Sequence, residues 1–210
     1  MTTIVLTPDG IYADCRLTLT MTVRDQQGQE VKIKGESDGY RKICQEPRLR
    51  LPNNQIEAYA VFGDIETAEA LYRFAVAVGL EDIGKKMVAL AGLRPAAPKV
   101  DSGFAWLTDA GEVMWLVFSD AGWSFNMKEP GAGHVVLGSG ASLFDAAYTQ
   151  SKDLLGSFLY AIARDEQSST NVYDFYDKES GNTLRCSVPG NDGCMPTLEQ
   201  FLAAQTQAEA

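Results

Sequence analysis

The sequence predicts an α+β protein arranged as a four-layer αββα sandwich, two stacked sheets with helices outside. Three observations predict it. Strand-like and helix-like runs come in blocks, in the order strands, two helices, strands, two helices, strands. Several runs alternate apolar and polar residues with the period of two that marks half-buried strands. The 210 residues suit one buried core, with no internal repeat or low-complexity tract to divide them.

Thr2 to Leu6 is a β-branched and apolar run, followed by a turn signal at Pro8, Asp9 and Gly10. From Arg16 to Val23, Leu17, Leu19, Met21 and Val23 alternate with Thr18, Thr20 and Thr22. After the turn residues Gln27 and Gly28, Val31 and Ile33 alternate with Lys32 and Lys34, which makes the second arm of a hairpin. Ile56 to Phe62 is a further strand, ending at Gly63. Asp64 is a good N-cap, Glu66 suits the first helical turn, and Leu71, Phe74, Ala75 and Val78 follow with helical spacing. A second helix is expected over about 80–90, then a loop over 94–102 with Pro95 and Pro98.

Strands return at 104–107 and 113–118, joined by Thr108, Asp109, Ala110 and Gly111, with another at 123–127. A short strand at 134–137 runs into Gly138, Ser139 and Gly140, and a helix follows from about Ser142. The next helix carries Leu155, Phe158, Leu159 and Ile162 on one face and ends near Asp165. A hairpin at 172–176 and 183–187 turns around Ser180, Gly181 and Asn182. Thr197 and Gln200 form a capping box for a last helix.

Composition excludes several classes. Hydrophobic residues make up 45% and charged residues 22%, an ordinary globular balance. The net charge of −10, without a basic stripe, argues against nucleic acid and anionic membranes as partners. No apolar run is long enough to span a bilayer. The start lacks the basic-then-apolar pattern of a secretory signal, so a cytoplasmic protein with reduced thiols is expected. Cys15, Cys44, Cys186 and Cys194 contain no C-x-x-C pair, so neither a metal nor a cofactor is expected; Cys186 and Cys194 are close enough in sequence to consider a disulfide. His134 is the only histidine, and Gly138-Ser139-Gly140 lacks the flanking glycines of a nucleophile elbow.

One chemistry stands out at the start of the chain. Removal of Met1 leaves Thr2 with a free α-amine, so one residue holds both a nucleophilic hydroxyl and a base whose pKa is about 8. The motifs that follow resemble the proteasome β-subunit and HslV peptidases, a family of N-terminal nucleophile hydrolases. Thr2-Thr3-Ile4-Val5 is similar to that family's mature N-terminus, and Ala13-Asp14-Cys15-Arg16 to its Ala-Asp-Ser-Arg strand. Phe62-Gly63 with Thr67-Ala68-Glu69-Ala70 resembles its Ala-Gly turn and first helix, Leu137-Gly138-Ser139-Gly140 its Gly-Ser-Gly turn, and Asp165-Glu166-Gln167-Ser168 its Asp-x-x-Ser loop. The resemblance covers residues 2–176.

It implies a single domain over 1–210, with a hairpin insertion near 20–40 and a divergent tail from about 180. It also implies a threonine endopeptidase in which Thr2 is the nucleophile and Asp14 the carboxylate paired with a catalytic lysine. Lys42, followed by Ile43, best matches that lysine, with Lys34 and Lys32 as alternatives. Gly63 would donate its N–H to the oxyanion, and Ser139, Asp165 and Ser168 would hold the α-amine and its water. The implied partners are a peptide or unfolded protein substrate, further copies in a ring, and an ATP-dependent unfoldase. Two rivals remain: a non-catalytic assembly subunit, and an amidohydrolase acting on small amides.

Overall fold

The computed structural model describes residues 2–45, 55–79, 101–128, 133–165, 168 and 172–188. The expected helix over 80–90, the loop from 94 to 100, Cys194 and the capping box at Thr197 and Gln200 lie outside them.

Two five-stranded antiparallel sheets form the centre. The first has the order β10 (Val135–Gly138), β1 (Thr3–Thr7), β2 (Gly10–Asp14), β11 (Val172–Asp177) and β12 (Asn182–Ser187). The second has the order β5 (Ile43–Cys44), β6 (Ile56–Phe62), β7 (Ser102–Thr108), β8 (Val113–Ser119) and β9 (Gly122–Lys128). Two further strands, β3 (Leu17–Arg24) and β4 (Glu30–Ser37), pair with each other as a separate hairpin, with Met21 opposite Ile33 and Val23 opposite Val31.

The alternation within each strand decides what it covers. Ile4, Leu6, Ile11 and Ala13 of the first sheet join Ile43, Ala58, Ala60, Phe62, Ala105 and Leu107 of the second in one core. On the outer side of the second sheet, Phe104, Trp106 and Leu116 pack with Ala68, Leu71 and Ala75 of α1 (Ile65–Val78). On the outer side of the first, Val5 and Tyr173 pack with Phe144 of α2 (Ala141–Ser151) and Phe158, Ala161 and Ile162 of α3 (Leu154–Arg164). The α1 start is set by Asp64, whose carboxylate accepts the Thr67 N–H at 2.9 Å. No helix among the described residues is long and apolar enough to cross a membrane.

This corrects the expected four-layer αββα sandwich. The described residues are mostly antiparallel sheet, 47% strand against 25% helix, with three helices in all. Of the helix pair expected after β6, α1 falls among the described residues, and the stretch expected to form the second helix lies outside them. The hairpin β3–β4 forms where its alternation predicts, while β2 and β5 carry no alternating signal of their own and add to the sheet content. The described residues therefore form a strand-dominated structure whose two larger sheets meet through one apolar core.

Candidate functional site

The predicted residues converge at the N-terminal end of β1. Here β1 lies between β10 and β2, with Thr3 opposite Gly138 and Ile4 opposite Ala13. Asp14 closes β2 and is completely buried. Its Oδ1 accepts the Thr3 N–H at 2.8 Å and the Lys42 ammonium at 2.7 Å, and its Oδ2 accepts the Arg16 N–H at 3.0 Å. One carboxylate thus ties the backbone next to Thr2 to a buried cation.

Lys42 is 1% exposed and is among the largest fully buried side chains. Burial pushes its ammonium pKa below the ordinary value, while Asp14, Cys15 and Asp165 pull the other way. Its backbone is fixed too: the Val61 N–H donates to the Lys42 carbonyl at 3.1 Å, and Ile43 pairs with Ala60. Of the three candidate lysines, Lys42 is the one held at Asp14; Lys32 is exposed, and both Lys32 and Lys34 belong to the separate hairpin.

A second cluster closes the site from the helix side. The Asp165 Oδ2 accepts the Ser139 hydroxyl at 2.5 Å, the Ser168 hydroxyl at 2.7 Å and the Thr3 hydroxyl at 3.4 Å. Thr3 and Ser168 also share a hydrogen bond at 2.7 Å. Asp165 sits where α3 ends, with its N–H on the Ala161 carbonyl, and Ser168 returns its own N–H to the Asp165 carbonyl at 2.9 Å. Replacing Asp165 with Asn removes a charged acceptor shared by three hydroxyls. We expect a stability loss of about 1–3 kcal/mol, measured by urea unfolding against the unmodified chain.

The Gly138–Gly140 turn clamps the same backbone. The Ser139 N–H donates to the Thr2 carbonyl at 2.8 Å. Gly138 has φ +98°, and a Cβ there would overlap the Thr2 carbonyl; a Cβ on Gly140 would overlap the Thr3 hydroxyl. Gly63 ends β6 with φ +78°, and a Cβ there would overlap the Asp101 carbonyl and meet Ser102 at 2.6 Å. The next N–H, of Asp64, is taken by the Ser102 hydroxyl at 2.8 Å.

Asp14, Lys42, Ser139, Asp165 and Ser168 are therefore joined around residues 2 and 3, while Gly63 is defined by its conformation. Thr2 is 1% exposed. Thr3 was not among the expected site residues, yet its amide meets one carboxylate and its hydroxyl the other. The signal was available in the period of two: Thr3 shares a face with Val5, which packs on α2 and α3.

Other candidates take different places. His134 lies at the far end of β10 from Ser139 and packs edge-on against Phe144 and Tyr148, with its pKa lowered by burial and by Lys128. Burial and Asp174 push the Cys15 thiol up to about 12, so it stays protonated. Among the described residues, no group of His, Cys, Asp and Glu is arranged to hold a metal ion. No protein-family model matches the chain, and no curated protein matches its sequence.

Proposed function

We propose that this chain is a threonine endopeptidase whose nucleophile is Thr2 once Met1 has been removed. The observation that carries the reading is the buried Asp14–Lys42 pair bonded to the amide adjoining Thr2. A buried ion pair is costly to desolvate and is weak as a stabilising device, so its position beside the Thr2 hydroxyl asks for a chemical reason. Continuing the β1 alternation back from Ile4 and Leu6 aims the Thr2 side chain at the face shared with the second sheet, where Lys42 is held.

The chemistry follows from those groups. The Thr2 hydroxyl attacks the substrate carbonyl carbon while its proton passes to the α-amine, directly or through water. The Lys42 cation favours the alkoxide, and the Gly63 N–H stabilises the oxyanion, a contribution of about 3 kcal/mol for one such donor. The C–N bond then breaks as the amine returns the proton to the leaving group, which leaves an ester on Thr2. Water attacks that ester and restores the hydroxyl. Asp165, Ser139 and Ser168 orient the amine end. The proposed setting is a ring of identical chains in the cytoplasm that receives unfolded protein from an ATP-dependent unfoldase.

Thr2→Ala tests this reading against fluorogenic peptides, with far-ultraviolet circular dichroism as the folding control. We expect turnover to fall by about 10³-fold or more with the fold unchanged. Equal turnover by both forms would remove Thr2 as nucleophile. Burial of Thr2 favours one competing reading, a non-catalytic assembly subunit, because a nucleophile must meet its substrate. Intact-mass measurement on the native protein separates the two: retained Met1 leaves Thr2 without a free amine and supports the inert subunit.

A further inference from the structure

Between the end of β4 at Ser37 and the start of β5 at Ile43, five residues deliver Lys42 into the core without sheet pairing of their own. They are held from outside at successive points. The Arg16 Nε donates to Asp38 at 2.9 Å, the Tyr40 N–H donates to the Cys15 carbonyl at 3.1 Å, and the Val61 N–H fixes the Lys42 carbonyl. Gly39 is held by a residue from the other end of the chain: the Arg185 Nη1 donates to the Gly39 carbonyl at 3.2 Å.

Arg185 is itself fixed by a planar two-point contact. Its Nε and Nη2 donate to the two oxygens of Asp174 at 2.8 and 3.0 Å. Asp174 and Arg185 are directly opposite on β11 and β12, and Asp174 is also opposite Ala13, the residue before Asp14. Asp174 is 1% exposed, an unusual place for a carboxylate. Its hydrogen bonds, and then its charge, hold the guanidinium above its usual pKa, and so permanently cationic. Two N–H groups on Asp174 leave the plane of the fork aimed, and a third N–H reaches the Gly39 carbonyl.

We infer that Arg185, locked by Asp174, is a positioning residue that fixes the segment 38–42 and thereby sets where the Lys42 ammonium sits. The inference rests on the peptidase reading for its catalytic consequence, but the placement of Lys42 can be measured apart from it. A lysine at 185 keeps the charge beside Asp174 but lacks the rigid fork that makes three directed bonds. The conservative replacement therefore separates charge from geometry.

The test compares the full chain with Arg185→Lys and Arg185→Met, each carrying ¹³Cε-labelled lysine. The Lys42 resonance is assigned by its loss in Lys42→Met. Two readouts are taken on the same samples: the pH titration of the Lys42 resonance, and kcat and KM on a fluorogenic peptide. The expected result for Arg185→Lys is a cooperative fold, a Lys42 titration moved upward toward that of an ordinary lysine, and kcat reduced at least ten-fold with KM within two-fold. Should Arg185→Met unfold, Arg185→Lys alone decides. A Lys42 titration and kcat that match the unmodified chain in folded Arg185→Lys would overturn the inference. If the unmodified chain shows no turnover that depends on Thr2, the peptidase reading fails instead, and the Lys42 titration by itself decides the positioning role.

Discussion

Lys42→Met is expected to abolish measurable peptide turnover and to destabilise the fold by about 3–5 kcal/mol, because it strands the completely buried Asp14 carboxylate without its cation. Asp14 would still accept the Thr3 and Arg16 amides, but two neutral donors do not replace an ammonium at 2.7 Å. The double replacement Asp14→Asn with Lys42→Met removes both charges and should recover much of the lost stability while leaving turnover absent. Chemical unfolding and peptide assays on the three variants check this. Stability and activity that recover together would mean that the pair serves folding alone.

The same lysine gives a pH dependence whose sign can be worked out. Its folded pKa lies below the ordinary 10.5, chiefly because of burial. Between those two values the unfolded chain binds more protons than the folded one, so stability gains as pH rises through the interval. The penalty for burying the charged form is fully present below the folded pKa. Lys42→Met should lose that rise, which a comparison of unfolding midpoints across alkaline pH would register.

Gly138→Ala is expected to cost at least about 2 kcal/mol, since the replacement must adopt φ +98° and also displace the Thr2 carbonyl. Two bonds are affected together: the Ser139 N–H to Thr2, and the Thr3–Gly138 register of β1 with β10. Losing them would carry Thr2 out of line with Asp14 and Lys42. Activity should fall further than the thermal midpoint alone accounts for when measured well below that midpoint. Gly28→Ala provides the control, because Gly28 also has a positive φ but a Cβ there meets nothing within 4 Å. Equal effects at the two glycines would show that backbone strain, not the approach to Thr2, is what matters.

Local signals made much of this site legible. The β3 and β4 alternation, the Asp64 cap and the α3 face of Phe158, Leu159 and Ile162 each follow from short-range rules and form where expected, whereas Leu155, expected on that face, is exposed. The Gly138–Gly140 turn was visible, but its reason was not: the closeness of Thr2 and Thr3 depends on β10 pairing with β1 across more than a hundred residues. β5 has two residues, too few for any periodicity to appear. The choice of Lys42 over Lys32 and Lys34 also needed the tertiary structure, since all three are lysines beside β-branched residues and it is the buried contact of Lys42 with Asp14 that singles it out.

The fold class went astray for a related reason. Blocks of helices and strands suggest layers, but they do not say how much of the chain each layer consumes. The meander β7–β8–β9 and the paired β11–β12 hairpin make the described molecule predominantly antiparallel sheet. The Asp174–Arg185 contact was hidden for the same reason as the sheet order: it is a cross-strand pair, fixed by register rather than by spacing.

Mass spectrometry of the native chain incubated with an activated peptide ester probes the attacking group itself. If the hydroxyl beside the Asp14–Lys42 pair is the nucleophile, the first peptide will begin at Thr2 and will carry the acyl mass on that residue. An acyl group on any other residue, or steady turnover by a chain that still begins with Met1, would contradict it.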